Sequence, residues 1–204
     1  MTKVKEQNTE TIILEAAKEV FQHKGMAGAR MQEIADKAGI NKAMLHYYFR
    51  SKDKLFLAVF KFVVQLRAPK VLEVLTNNEH LFDKIRQFTK EYISFLQKHS
   101  FMPLFVISEL NRNPDLLKEI FANKIDNQTE QCLINQINDL VAKGKIRPIK
   151  PEQLLLDIMS LCVFPVIGKP LLKNILQKDD KSYTKLIKER QTYVAEFVIN
   201  AIKL

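Results

Sequence analysis

The sequence predicts an all-helical protein of about nine helices, and three observations carry that expectation. Only five glycines and seven prolines are spread over 204 residues, and long stretches contain neither. Lys, Leu, Ile, Gln and Glu, which a helix tolerates well, are abundant. Apolar residues recur at helical spacing, linkers are short, and no strand-like alternation or internal repeat appears. At 47% apolar and 27% charged residues, the composition is that of a globular chain with one or two domains and a substantial core.

Asn8 or Thr9 is placed to cap a first helix that runs to about His23, with Ile13, Ala16, Ala17, Val20 and Phe21 on one face. Lys24-Gly25 is the cation-then-glycine pair that ends helices. A second, short helix is expected over 31–38, with Ile34, Ala35 and Ala38 facing inward. Asn41 caps a third helix that ends near Arg50. Ser51 caps a fourth, with Asp53 near its positive end and Leu55, Val59, Phe62, Val63 and Leu66 as its apolar face until Pro69 disrupts it. Further helices are expected at about 79–98, 103–111, 114–143, 151–176 and 182–203. Asn113-Pro114 separates two of them, and Pro165 with Gly168-Lys169-Pro170 should kink or split another.

The net charge of +9 favours a polyanionic partner, but the excess is not concentrated. Residues 1–54 hold ten Lys/Arg against seven Asp/Glu, a net of +3, which leaves +6 for 55–204. Cys132 and Cys162 fall within apolar helical patterns and read as buried free thiols. The start, MTKVKEQN, lacks an apolar signal core, and the apolar stretch 154–168 is interrupted by Asp157 and Pro165. A cytoplasmic protein is the expectation.

Residues 39–55 decide the functional reading. Gly39-Ile40 joins helices two and three with the length and chemistry of a helix-turn-helix. Ala35 lets the two helices approach closely, and Ile34, Ile40 and Leu45 supply their shared core. The exposed face of helix three then presents Asn41, Lys42, Ala43, Met44, Tyr47 and Tyr48. Asn41 and Lys42 can donate to phosphates or base edges, and Ala43 permits close backbone approach. Met44 suits a thymine methyl, and the two tyrosines offer hydroxyls to phosphates. Lys52 stands where its ammonium and the amides of helix four could grip a phosphate together. Phe49 reads as core, and Lys42, Arg50 and Lys52 taken singly would be ordinary surface charges.

Residues from about Thr9 to Val59 resemble the DNA-binding domain of the TetR/AcrR family of bacterial transcriptional regulators. The landmarks are the Ala-Ala…Phe of helix one, Gly25, the EIADKAG segment, Asn41-Lys42-Ala43, Leu45…Tyr47-Tyr48-Phe49, Ser51-Lys52 and Leu55. The resemblance covers about a quarter of the chain. It implies an all-helical homodimer, with a DNA-binding domain at 7–67 and a ligand-binding and dimerisation domain at 68–204. It places Asn41, Lys42, Ala43, His46, Tyr47, Tyr48 and Lys52 at DNA-contact positions, and Arg30, Gln32 and Met44 complete the candidate set. Two residues depart from the family pattern. Arg30 stands where a Thr or Ser usually caps helix two; it cannot accept from the free amides, a loss of about 1 kcal/mol unless the helix start shifts. His46 replaces a tyrosine and is left with either a phosphate role or simple packing.

In the larger domain, 81–96 has apolar or aromatic residues on nearly every face, as a helix in the middle of a bundle does. The resemblance implies an effector cavity, for which Phe88, Tyr92, Phe95, Phe105, Cys132, Met159 and Cys162 are candidates, with plain core packing as the other reading. Phe101, Met102 and Phe164 are expected in the same interior. It also implies that Leu154, Leu155, Ile158 and Leu161, with Tyr183, Leu186, Ile187, Tyr193, Val194, Phe197 and Val198, include the positions that pack on a second subunit. The expected function is a repressor released from a palindromic operator by a small hydrophobic effector. The alternative is a regulator controlled by a protein partner, or an activator. An enzyme is not expected: His23, His46, His80 and His99 lack metal-ligand spacing, and no phosphate loop or nucleophile elbow appears. No cofactor is implied.

Overall fold

The computed structural model describes residues 2–104, 106–107 and 127–204. Among them are nine helices: α1 (Thr2–Gly28), α2 (Met31–Lys37), α3 (Lys42–Tyr48), α4 (Lys52–Thr76), α5 (Leu81–Lys98), α6 (Asn127–Ala142), α7 (Pro151–Ile167), α8 (Lys169–Ile175) and α9 (Asp180–Ile202). The all-helical expectation holds. Residues 102–104 and 106–107 are also helical, while Phe105, the Asn113-Pro114 break and the first part of the 114–143 helix lie outside the described residues. The chain divides into two compact units, Met1–Arg67 and Ala68–Leu204.

In the first unit, Ile13, Ala17, Phe21, Ile34, Ala35, Leu45, Leu55, Phe56 and Val59 are almost wholly removed from solvent. Phe21 and Phe56 meet edge to face with ring centroids 4.5 Å apart, an arrangement worth about 0.5–1.5 kcal/mol beyond burial. Helix α1 begins at Thr2 rather than at Asn8 or Thr9, because the polar residues before it, Lys, Glu and Gln among them, are themselves helix formers. It breaks at Gly25, whose φ of 64° and ψ of 178° no helix contains, where the Lys24-Gly25 stop was expected. Helix α4 runs through Pro69 to Thr76, against expectation. A proline removes one ladder bond at a cost of about 3 kcal/mol, and here that does not end a helix of 25 residues.

The second unit is organised around α5 and α9. Ile85, Thr89, Ile93 and Leu96 of α5 join Ile187, Val194, Val198 and Ile202 of α9 in one core with Leu133 and Ile137 of α6 and Leu154, Ile158 and Cys162 of α7. Polar bonds fix their register: Thr89 Oγ1 donates to the Gln191 carbonyl at 3.0 Å, and Arg86 pairs with Glu196 at 2.8 Å. Helix α5 is therefore one-sided, not apolar all round. Its buried face is Leu81, Lys84, Ile85, Thr89, Ile93 and Leu96, while Phe82, Phe88, Tyr92 and Phe95 are only partly covered.

The expected helix over 151–176 splits at Gly168 into α7 and α8, bent by 80°. Pro165 has no N–H, so the carbonyl of Leu161 loses its helical donor; Arg190 Nη2 of α9 donates to it at 2.8 Å. The helix end orphans the carbonyl of Pro165 as well, and the buried Tyr183 hydroxyl donates to that one at 2.7 Å. Burial pushes the Tyr183 phenol up, with Arg190 opposing. Among the described residues, no single helix is long and apolar enough to cross a membrane.

Candidate nucleic-acid interface

The site is built from the turn between α2 and α3 outward. Gly39 adopts φ 67°, and its N–H donates to Asp36 O at 3.1 Å while Ile40 N–H donates to Ala35 O at 3.0 Å. These are the two bonds of a Schellman stop, which needs a residue in the left-handed region at that place. Asn41 follows in extended backbone and its Oδ1 accepts from Met44 N at 2.7 Å, starting α3 with a side-chain cap. Leu45 is fully buried and Phe49 nearly so, which anchors one side of α3 against the core.

The other side is open. Asn41, Lys42, Ala43, Met44 and His46 are exposed, and Tyr48 is half-buried with its ring 5.6 Å from that of Tyr47, edge to face. Tyr47 is 79% exposed. A phenol so placed contributes little to the fold and is free to meet a partner. His46 is likewise exposed and not held by packing.

Arg30 occupies the N-cap of α2 with φ −115° and ψ 137° and makes no side-chain cap, so the cap is lost and the helix start does not shift. Two ion pairs tie α1 to α2 instead, Lys24 to Glu33 and Lys37 to Glu19, each at 2.7 Å. The Lys37 ammonium holds the Glu19 carboxyl below its usual range, although exposed pairs of this kind stabilise only weakly. The exposed Gln32 amide donates to Asp36 Oδ1 at 2.8 Å. The Lys52 ammonium donates to the backbone carbonyl of Ala29 at 3.2 Å and, at the long distance of 3.5 Å, to that of Ala27. Nothing in the sequence pattern signals those carbonyl acceptors.

In the second unit the structure brings some of the effector candidates together and separates others. Phe88 and Tyr92 stack with centroids 5.2 Å apart. Burial pushes the Tyr92 phenol up to about 12, with a further contribution from Cys162, and burial also pushes the Cys162 thiol up to about 12, opposed by Arg190. Phe95 packs against His99 at 5.0 Å. Cys132, Met159 and Phe164 are exposed rather than interior, because each falls on the side of its helix turned away from the core. The expected subunit-packing positions also divide. Leu154, Ile158, Tyr183, Ile187, Val194 and Val198 are buried within the chain, Leu155, Leu161 and Leu186 are partly buried, and Tyr193 and Phe197 of α9 are exposed; Leu156, Met159 and Phe164 of α7, not among the expected positions, are exposed as well. Sequence reading missed Arg190 and Leu156; the carbonyl left by Pro165 was the available signal for the first.

A capped short helix behind a two-residue turn, buried on one side and open on the other, on a compact helical core, defines a helix-turn-helix DNA-binding unit. Comparison with known proteins agrees. Residues 13–59 match the family model for bacterial regulatory proteins of the tetR family. The HTH-type transcriptional regulator RutR of Escherichia coli K12 is 28% identical over 154 residues, 72% of this chain and 69% of that protein. The HTH-type transcriptional repressor NicS of Pseudomonas putida is 28% identical over 172 residues, 82% and 80% of the two chains. Among solved structures, AibR in complex with isovaleryl coenzyme A and operator DNA is similar in fold, with a TM-score of 0.60 at 20% identity over 78% of this chain and 85% of that one. Residues 13–59 thus form a helix-turn-helix unit of the kind found in bacterial regulatory proteins of the TetR family, and the relatives that the chain resembles over most of its length are transcriptional regulators.

Proposed function

We propose that this protein is a cytoplasmic, homodimeric repressor that leaves a palindromic operator when a small hydrophobic effector binds its second unit. The observation that carries the reading is the open face of α3, above all Tyr47 at 79% exposure beside exposed Lys42 and Met44. Lys42 and Asn41 donate to base edges or phosphates, Met44 meets a thymine methyl, and Tyr47, Tyr48, His46 and Arg30 hold phosphates, with Gln32 and Ala43 at the border of the contact.

One helix of seven residues reads too little sequence alone. The exposed apolar stripes on α7 and α9 support pairing with a second copy, which sets two recognition helices on half-sites roughly 34–36 Å apart. Tyr193 and Phe197, stacked at 6.3 Å and both exposed, are the expected centre of that interface. Phe88, Tyr92, Phe95 and Cys162 are the residues proposed to meet the effector; the similarity to the repressor NicS supports repression, and the binding of a coenzyme A thioester by AibR supports a small-molecule effector. Helix α4 carries residues of both units and is the element through which effector binding would act, at a coupling of about 1–3 kcal/mol.

The test is a screen of apolar and aromatic compounds by thermal shift, followed by release of the bound upstream duplex. A compound that raises the melting temperature and releases DNA supports the reading; compounds that bind without changing DNA affinity contradict it. Sedimentation of Phe197→Glu should show a monomer, and an unchanged dimer would move the interface elsewhere.

A further inference from the structure

We infer that Lys52 is a positioning residue for DNA recognition, acting through the carbonyls of Ala29 and Ala27 rather than by gripping a phosphate; the inference rests on the DNA-binding role of the first unit. Lys52 is the first residue of α4, and the carbonyls it meets lie at the end of α1 and immediately before Arg30. The bond therefore closes residues 27–52 into a loop that contains α2, the Gly39 turn and α3 and little else. Two local weaknesses make that closure matter. Helix α2 has no side-chain cap at Arg30, and α3 sinks a single helical residue, Leu45, into the core.

An ammonium has three protons, and this one lies 3.2 Å from the Ala29 carbonyl oxygen and 3.5 Å from that of Ala27. A charge held in this way sets the angle at which α3 leaves the core, and its removal lowers affinity for every DNA sequence without removing a phosphate contact. That difference is measurable, because each phosphate contact contributes about 0.9 to the slope of log affinity against log salt.

The experiment compares full-length wild type, Lys52→Met and Lys52→Arg on the duplex immediately upstream of the chain's own gene, over a range of salt. Amide exchange across residues 27–33 is followed in parallel without DNA. Lys52→Met is expected to bind about tenfold more weakly with an unchanged salt slope, with faster exchange at 27–33. Lys52→Arg, whose guanidinium can reach the same carbonyls, is expected to restore most of the affinity. A salt slope lowered by about 2 in a dimer, with exchange unchanged, would show a direct phosphate contact and overturn the inference. Unchanged exchange alone overturns the closure whatever the DNA result. Faster exchange in a protein whose wild type binds no DNA would retain the closure, overturn the role in recognition, and count against the DNA-binding reading. If Lys52→Met does not fold, Lys52→Arg decides the matter: loss of affinity with retained charge overturns the inference.

Discussion

Gly39→Ala isolates the turn that sets α2 against α3. The glycine sits at φ 67°, and a Cβ built on it meets nothing within 4 Å, so no steric clash enters the sum. What remains is the cost of holding an L residue in the left-handed region, about 1–2 kcal/mol. Alanine also narrows the unfolded ensemble, which offsets roughly 0.4–1 kcal/mol, and the net loss is about 1 kcal/mol. Asn tolerates that region better, so Gly39→Asn should lose about half as much or less. Urea denaturation followed by circular dichroism measures both, and the midpoints should fall in the order wild type, Asn, Ala with m unchanged. A Gly39→Ala protein as stable as wild type would refute the reasoning, because it would mean the turn does not require the conformation described.

Further expectations concern both units. Lys42→Ala and Tyr47→Phe should weaken DNA binding and leave helicity and oligomeric state as they are, since both side chains are exposed; altered oligomeric state would show that the open face is misassigned. A thiol reagent at neutral pH should label the exposed Cys132 and spare Cys162, which is buried with its thiol pushed up to about 12, and equal labelling would contradict the α7 packing. Tyr183→Phe should cost about 1–3 kcal/mol by leaving the Pro165 carbonyl buried without a donor, whereas a neutral change would show that carbonyl to be otherwise satisfied.

The parts of the molecule legible in sequence are those set by local chemistry. The Gly39 stop, the Asn41 cap and the buried Leu45 and Phe49 follow from residue types within a few positions of one another, and all appear where the pattern puts them. Residues whose role depends on distant partners were not legible. Apolar spacing places Leu154 and Ile158 on one face of α7, but only the position of α9 shows that this face is internal and that Leu156, Met159 and Phe164 look outward. Cys132 is exposed for the same reason: its apolar neighbours fix the helix but not which side is covered. Pro69 and Pro165 carry the same sequence signal, and both lie inside a helix, but only the second is followed within three residues by a break. The helix continues through Pro69, while at Pro165 two side chains from α9 take over the orphaned carbonyls just before the 80° bend. Lys52 was legible as a cation near the DNA-binding face, but its acceptors are backbone atoms, which no residue pattern names.

Affinity of the full-length protein for the duplex upstream of its own gene, against an unrelated duplex of equal length across a salt series, tests the central claim most directly. The account predicts preference for the upstream duplex at every salt, with log affinity falling linearly and steeply against log salt, and loss of the preference in Lys42→Ala. Equal affinity for the two duplexes throughout would contradict it.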